Sequence, residues 1–379
     1  MNNIDSKYKG CSSCIHHEGY PNLKIDGEGI CNYCRFHENI SKYTEIEKIT
    51  HLFEKIRGKN KYDCLVPLSG GMDSSYVLYL VVKKFKLKPL VFNFNNGWQH
   101  PIAYKNVETT VKRLGCELIR VQPDWNILSK MYGAFIKAGV PDICTPCMTG
   151  IYSNMYEIAV KENIPLIING TSVKRQGSIP LIMSYNKDAR YFNNIIELFA
   201  PEIKNYSYSK LSSVGYIKYL LLNNIKVINL PDYITEWDSS YIPKLLDKEL
   251  GWEHPPEGTG RFDCLFYPFM LYYTTYKFNW NPIEMKLAAI VRSGSISKKE
   301  AKTRLISVNN MISPDILEGY LDRLSISKEE FDNIFYSKNK YFNEYKNYYS
   351  YILKIKPLIK ILVKLGIIQE LFYDYYFNH

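Results

Sequence analysis

No run in this 379-residue chain is apolar for long enough to span a bilayer. Residues Met1 to Asp5 lack the basic and apolar regions of a secretory signal. The expectation is therefore a cytoplasmic protein with no transmembrane segment. Internal repeats and low-complexity linkers are absent, and at 46% apolar content the chain is not disordered. Its length suits two or three domains. Acidic residues are the scarcer charge, 38 against 48 basic, leaving a net +10. That balance suits an anionic substrate, a nucleic acid or a membrane surface and does not separate them. The 33 tyrosines form no cluster that would read as a stacking platform.

The most informative stretch runs from Cys64 to Ser75: an apolar segment, then Ser69-Gly70-Gly71-Met72-Asp73-Ser74-Ser75, then a second apolar run to Val82. This reads as strand, glycine turn and helix N-terminus. Glycine lets the backbone approach a bound group, and first-turn N–H groups point at an anion. The spacing is SGGxDS, neither the GxxxxGK[ST] loop nor the GxGxxG fingerprint. An ordinary glycine-rich turn is the bland alternative; a phosphate cradle built by Ser69, Gly70, Gly71, Ser74 and Ser75 is the reading preferred here. Asp73 either helps to place Mg²⁺ or caps the helix.

Six of nine cysteines form CxxC pairs. Cys11, Cys14, Cys31 and Cys34 flank a turn at Asp26 to Gly29, a spacing that closes a structural tetrahedral Zn²⁺ site. His16, His17 and His37 are then expected at the solvated surface. Cys64 and Cys116 read as buried packing thiols. Cys144 and Cys147 lie in what reads as a loop, and Cys264 stands apart.

Strand and helix patterns alternate: a helix over 42–58, strands at 63–68, 89–94, 117–122 and 166–169, and a closing strand at 226–230. Helices carry Ala103, Val107, Val111 and Leu114, then Trp125, Leu128, Tyr132 and Phe135, then Ile151, Met155 and Ile158 on single faces. A further helix is expected over 74–85. The fold class is α/β, a doubly wound, mainly parallel sheet. Ligands in such sheets sit beyond the strand carboxyl ends, where loops 69–74, 95–98 and 170–172 converge. Gly170 and Thr171 join the nucleotide-binding candidates on this ground. The division expected is a zinc-ribbon-like knuckle over 1–45, an ATP-binding domain over 46–235 and a mainly helical domain over 236–379. Pro255 to Gly260 reads as a loop. Ser297 with Glu300, Ser327 with Glu330, and Ser313 before Pro314 are helix-start signals. The stretch 357–368 reads as a packed terminal helix, with contact to a membrane surface or partner as the alternative.

The knuckle, SGGMDSS, Phe94-Asn95-Asn96-Gly97-Trp98, Lys248-Glu249-Leu250-Gly251-Trp252, Tyr276-Lys277-Phe278 and the segment Arg292 to Ala301 together resemble the bacterial N-acetyl sugar amidotransferases of surface-polysaccharide (lipopolysaccharide) synthesis, within the PP-loop ATP pyrophosphatases. The resemblance runs from about residue 11 to 335. It implies ATP and Mg²⁺ as cofactors and an acetamido group activated by adenylation and converted by ammonia to acetamidino. It also implies an N-acetyl sugar or nucleotide-sugar substrate and a separate glutaminase subunit. Ser69 and Asp73 are then the catalytic candidates, and Trp98, Arg261 and Lys277 the acceptor contacts, with core packing as the alternative for Trp98.

Cys144, Cys147 and Cys264 depart from that family's pattern. A CxxC pair plus one distant cysteine resembles the tRNA thiolases of the same superfamily, whose three cysteines hold a [4Fe–4S] cluster with one iron open. The alternatives are a second zinc knuckle or unrelated thiols. The basic residues that follow the second cysteine in thiolases are missing, since Met148 to Tyr152 stands there. Two enzyme readings result, amidotransferase and sulfurtransferase, with nucleic acid a partner only under the second. A zinc-ribbon scaffold or nucleic-acid module with a degenerate ATP site is a third.

Overall fold

The computed structural model describes residues 9–41, 45–204, 225–254, 263–309 and 314–364, with 373, 376 and 377. Arg261, the loop 255–260, Ser313, the first residues of the 42–58 helix and the end of the 357–368 stretch lie outside the described residues.

Five parallel strands form one sheet in the order β3-β2-β1-β4-β5: β1 Cys64–Pro67, β2 Pro89–Phe94, β3 Glu117–Val121, β4 Leu166–Asn169 and β5 Lys226–Asn229. Helices cover both faces, so the central strands are apolar on both sides. On one face Cys64, Val66, Val91 and Ile168 pack with α2 (Ile46–Ile56), α3 (Met72–Tyr79) and α4 (Pro101–Leu114). On the other, Leu65, Leu90, Phe92 and Ile167 meet Met155, Tyr156 and Ala159 of α6 (Thr145–Lys161). Strand order reverses between β1 and β4. The crevice of a doubly wound sheet opens at that point.

The expected 74–85 helix differs in detail. It starts earlier, at Met72, and a π-turn over Leu80–Lys84 completes it. The cysteine pair does not lie in a loop: Cys144 is the N-cap of α6 and Cys147 sits in its first turn. Proline at Pro146 suits that position, where its missing N–H would go unused. Buried Asp142 braces the turn, accepting from Thr145 Oγ1 at 3.1 Å, Tyr185 N at 3.1 Å and Tyr191 Oη at 2.8 Å.

The third core joins the knuckle, α5 (Trp125–Lys137), α8 (Ala189–Phe199) and the C-terminal helices. Those helices are α10 (Tyr267–Phe278), α11 (Pro282–Arg292), α12 (Lys298–Asn309), α13 (Leu317–Leu324), α14 (Lys328–Phe335) and α15 (Tyr349–Lys354), with α16 (Lys356–Lys364) following; α9 (Tyr241–Leu250) packs instead with Trp252 against Met72, Tyr76 and Tyr79 of α3. Ser297 and Ser327 hydroxyls accept from the Glu300 and Glu330 backbones, as their spacing implied. No helix among the described residues is long and apolar enough to cross a membrane.

Candidate functional site

The turn after β1 is held in a conformation that only glycine tolerates. Gly70 has φ +86°, and a Cβ there would fall 2.0 Å from the Ala103 carbonyl oxygen. Its own carbonyl accepts from Trp252 Nε1 at 3.0 Å and Asn106 Nδ2 at 3.3 Å. Asn106 is in turn clipped to Glu253, accepting from its N–H at 2.8 Å and donating to its carbonyl at 3.0 Å. Two buried donors on one carbonyl fix the Gly70–Gly71 peptide plane.

Helix α3 begins at N-cap Gly71, and no side chain caps it. Asp73 therefore is not the cap; its Oδ2 accepts from Gln176 Nε2 at 3.0 Å. The serines divide their roles. Ser74 Oγ accepts from Ser69 N at 3.2 Å and donates to the Gly71 carbonyl at 3.1 Å, so it knits the loop. Ser69 Oγ lies 3.1 Å from it and accepts from Gly71 N at 3.3 Å. Ser75 is fully buried, which corrects its assignment to the cradle surface. An anion at this turn would meet Ser69, the glycine backbone and the uncapped helix start.

The loop after β4 presses on the same helix. A Cβ on Gly170 would approach Ser74 Cα to 2.9 Å. Thr171 Oγ1 donates to Asn229 Oδ1 at 3.0 Å. Ser172 caps the short helix α7 (Val173–Gln176), which aims Gln176 at Asp73, and its hydroxyl donates to buried Asp232 at 2.6 Å. Burial raises the Asp232 carboxyl above its usual range, against the pull of these donors.

The knuckle gathers Cys11, Cys14, Cys31 and Cys34, all buried, with sulfurs within 4.8 Å of one another. Mutual hydrogen bonding drives the Cys11 thiol far down, while its bonds to Cys11 push Cys14, Cys31 and Cys34 up. A bound divalent ion would ionise all four.

His16 is not at the surface. It is buried, stacks on Tyr20 with centroids 3.8 Å apart, and its Nδ1 lies 3.0 Å from Glu284 Oε1 of α11. His37 is half-buried, and desolvation first, then Arg292, lowers it to about 4. Cys64 is buried as expected, whereas Cys116 is half-exposed.

Cys147 and Cys264 come together across the mouth of the sheet. Asn96 Nδ2 lies 3.3 Å from Cys147 Sγ and 3.7 Å from Cys264 Sγ. Burial first, then the neighbouring Cys147, Cys264 and Cys144, raises the Tyr132 phenol well above its usual range. Burial pushes Cys147 up to about 12, with Cys264 adding to the effect. The three sulfurs do not form the tight group that the knuckle does.

The Cys264 segment also adjoins the phosphate loop. Gln99 pairs with Cys264 as an antiparallel bridge and donates from Nε2 to the Ser69 carbonyl at 3.1 Å. Asp263 Oδ2 lies 3.6 Å from where a Gly71 Cβ would stand.

Two acceptor candidates change role. Trp98 is only 2% exposed, packed on Trp125, Phe266 and Tyr320, with the Arg323 guanidinium 4.1 Å from its ring centroid. Lys277 is buried and gives its three donors to the Ile334, Phe335 and Ser337 carbonyls at 2.7, 3.1 and 3.0 Å, closing the end of α14. It is therefore a structural cation rather than an acceptor contact.

Asn96, Trp252, Asn106, Gln176 and Tyr132 carry no role that their local sequence reveals. For Asn96 and Trp252 the signal is a polar or aromatic residue at the end of a family-specific segment; for Tyr132 it is a hydroxyl on an apolar helix face.

Residues 259–358 match the family model described as LPS biosynthesis protein WbpG-like, C-terminal domain. An uncharacterized protein of Methanocaldococcus jannaschii is 25% identical over 303 residues, covering 78% of this chain and 92% of its own. Among solved structures, the U34-tRNA thiolase NcsA from Methanococcus maripaludis with its [4Fe–4S] cluster is 12% identical, covering 88% of this chain and 90% of its own, at a TM-score of 0.32. The NH3-dependent NAD synthetase from Campylobacter jejuni is 15% identical, covering 59% and 98%, at a TM-score of 0.28.

Proposed function

We propose that this chain, whose residues 259–358 match the WbpG-like C-terminal domain model, is an ATP-dependent, AMP-forming amidotransferase of the PP-loop type acting on an N-acetyl sugar. The observation that carries this reading is the phosphate loop, with the Gly70 carbonyl turned away by two donors and an uncapped helix start facing the crevice. The LPS-biosynthesis domain beside it supports a sugar substrate.

The chemistry needs positioning more than a side-chain nucleophile. The acetamido oxygen attacks the α-phosphorus of ATP; an O–P bond forms and pyrophosphate departs. Ammonia then attacks the imidate carbon, the C–O bond breaks, AMP leaves, and an acetamidino group remains after loss of a proton. Ser69, Gly70, Gly71 and the backbone at the start of α3 would hold the leaving pyrophosphate. Gly170 and Thr171 border the nucleotide. Mg²⁺, which neutralises triphosphate charge, fits Asp73 in the first turn, with Gln176 orienting that carboxylate. Structural Zn²⁺ fits the four knuckle sulfurs. A separate glutaminase subunit supplies ammonia, and the domain division at residues 45 and 235 belongs to the same proposal.

The test is AMP and pyrophosphate release from purified protein with ammonium and a panel of free and nucleotide-linked N-acetyl sugars. Release that requires both sugar and ammonium is the expected result. Release that no sugar in the panel stimulates would sink the reading.

A second reading has its own support: Cys147 and Cys264 share the Asn96 donor, and Cys144 stands at the N-cap of the helix whose first turn carries Cys147. Cys144, Cys147 and Cys264 are the residues that would hold a [4Fe–4S] group. Such a group supplies an open iron, and a sulfur nucleophile would give a thiolated tRNA or small amide. Anaerobic purification should then yield a brown protein that loses iron in Cys144→Ala, Cys147→Ala or Cys264→Ala. A colourless anaerobic preparation that contains only zinc excludes it.

A further inference from the structure

We propose that α15 and α16 form a basic, amphipathic surface by which this chain docks on an anionic lipid bilayer, lying along the headgroups rather than crossing them.

The two helices act as one element. Ile355 separates them, yet its N–H donates to the Tyr351 carbonyl at 3.2 Å and its carbonyl accepts from Ile359 N at 3.0 Å, so helical bonding runs through the join. On the inner face Ile352 packs against the large core and Ile359 is buried. Tyr351, Ile355, Leu358 and Ile361 follow one another at helical spacing, which sets them in a single stripe on another face. They are 54, 42, 53 and 53% exposed, and Leu353 is exposed as well. Single exposed apolar side chains are ordinary, whereas a contiguous stripe marks a contact surface. The expectation of a packed helix here therefore holds for one face only.

Charge decides what the stripe meets. From Tyr345 to Gln369 the sequence holds five lysines and no aspartate or glutamate, half of the chain's net charge of +10. Lys354, Lys360 and Lys364 are exposed. Lys354 is one helical turn from both Tyr351 and Leu358, and Lys364 one turn from Ile361 and from Lys360. A lysine stem lies along apolar surface while its ammonium reaches outward. Apolar side chains entering at headgroup level, beside lysines that meet lipid phosphates, are the two contributions that hold an amphipathic helix on an anionic bilayer. The Tyr351 ring suits the same depth. A protein–protein contact, by contrast, is depleted in lysine at its core. No described helix is long and apolar enough to cross the bilayer, so the element rests on its surface.

The experiment is flotation of the full chain with vesicles of pure phosphatidylcholine and with vesicles of equimolar phosphatidylcholine and phosphatidylglycerol. Wild type is compared with Leu358→Gln/Ile361→Gln and with Lys354→Gln/Lys360→Gln/Lys364→Gln. Lys24→Gln/Lys59→Gln/Lys112→Gln removes three exposed lysines elsewhere and controls for net charge alone. The expected result is binding to the anionic vesicles that weakens with salt. The local lysine triple should lose roughly 100-fold in partitioning, at about fivefold per lysine. The apolar double should lose about 10-fold, and the remote triple should float as wild type does. Wild type that binds the anionic vesicles no better than pure phosphatidylcholine overturns the proposal. So does a remote triple that loses as much as the local one, or binding that the apolar double leaves unchanged. Absent vesicle binding with a concentration-dependent dimer that the apolar double dissolves, read by light scattering, overturns it in favour of a second copy of the chain. Should the apolar double fail to melt cooperatively, the two lysine triples decide alone.

Discussion

Trp252 and Gly70 are far apart in the chain, and a single indole N–H joins them at 3.0 Å. Trp252→Phe keeps an aromatic ring in the fully buried slot and deletes the donor. One net hydrogen bond contributes about 0.5–1.5 kcal/mol, so ATP affinity should weaken roughly 2- to 10-fold. Calorimetric titration with ATP checks this, and a cooperative melt confirms that the fold survives. An unchanged ATP affinity would mean that Asn106 alone orients the Gly70 peptide. None of this was legible in the sequence, because the acceptor is a backbone carbonyl and its donor lies in a segment that reads only as a family signature. Lys277 failed for a related reason: a lysine that ends a distant helix looks the same in sequence as one that binds a substrate. His16 likewise looks solvent-facing until Tyr20 and Glu284 are folded around it.

At the scale of elements the sequence is far more readable. All five strands fall within a residue or two of their expected ends, because central parallel strands must be apolar on both faces and short. The knuckle was legible for a different reason, since four thiols at that spacing have few other uses. What spacing does not reveal is how the knuckle is seated. Trp280 Nε1 donates to Tyr20 Oη at 3.1 Å, and Lys298 Nζ donates to the Cys11 and Ser12 carbonyls at 2.8 and 3.0 Å. Treatment with a strong chelator, or Cys14→Ser, should therefore loosen α11 and α12 as well as the knuckle. The expected observation is a lowered melting temperature together with faster amide exchange in residues 282–305. Exchange that rises only within residues 9–41 would show that the knuckle is energetically separate. Cys144 and Cys147 mark the limit of this scale: their pairing was plain, but the helix start beneath them was hidden by Pro146, which reads equally well as a loop residue.

At the scale of the molecule, one charged side chain ties a C-terminal helix to the loop at the mouth of the sheet. Arg323 of α13 sits 4.1 Å from the Trp98 ring centroid and 4.6 Å from that of Trp125, and it donates to the Gly97 carbonyl. Tyr320, one turn earlier, donates to the Leu265 carbonyl at 2.6 Å. One helix thereby latches both the loop that carries Asn96 and the segment that carries Cys264. Arg323 is exposed, so Arg323→Ala should cost about 1 kcal/mol, from a solvent-facing cation–π stack and one hydrogen bond. Arg323→Lys should recover less than half, since an ammonium neither stacks nor forks in the same way. Chemical denaturation measures both, and equal stabilities for wild type and Arg323→Ala would dismiss the latch. The doubly wound sheet predicted where the crevice lies; it did not predict that a helix from the far end of the chain would hold two of its walls.

The indole on the Gly70 carbonyl has one more consequence, an optical one. A fluorophore's emission shifts with the polarity and hydrogen bonding of its immediate environment, and this indole touches the very peptide that would turn toward a bound triphosphate. Among the five tryptophans of the chain, Trp252 is thus a built-in reporter: the difference in emission between wild type and Trp252→Phe, followed during nucleotide addition, reads occupancy of the phosphate loop with no label attached.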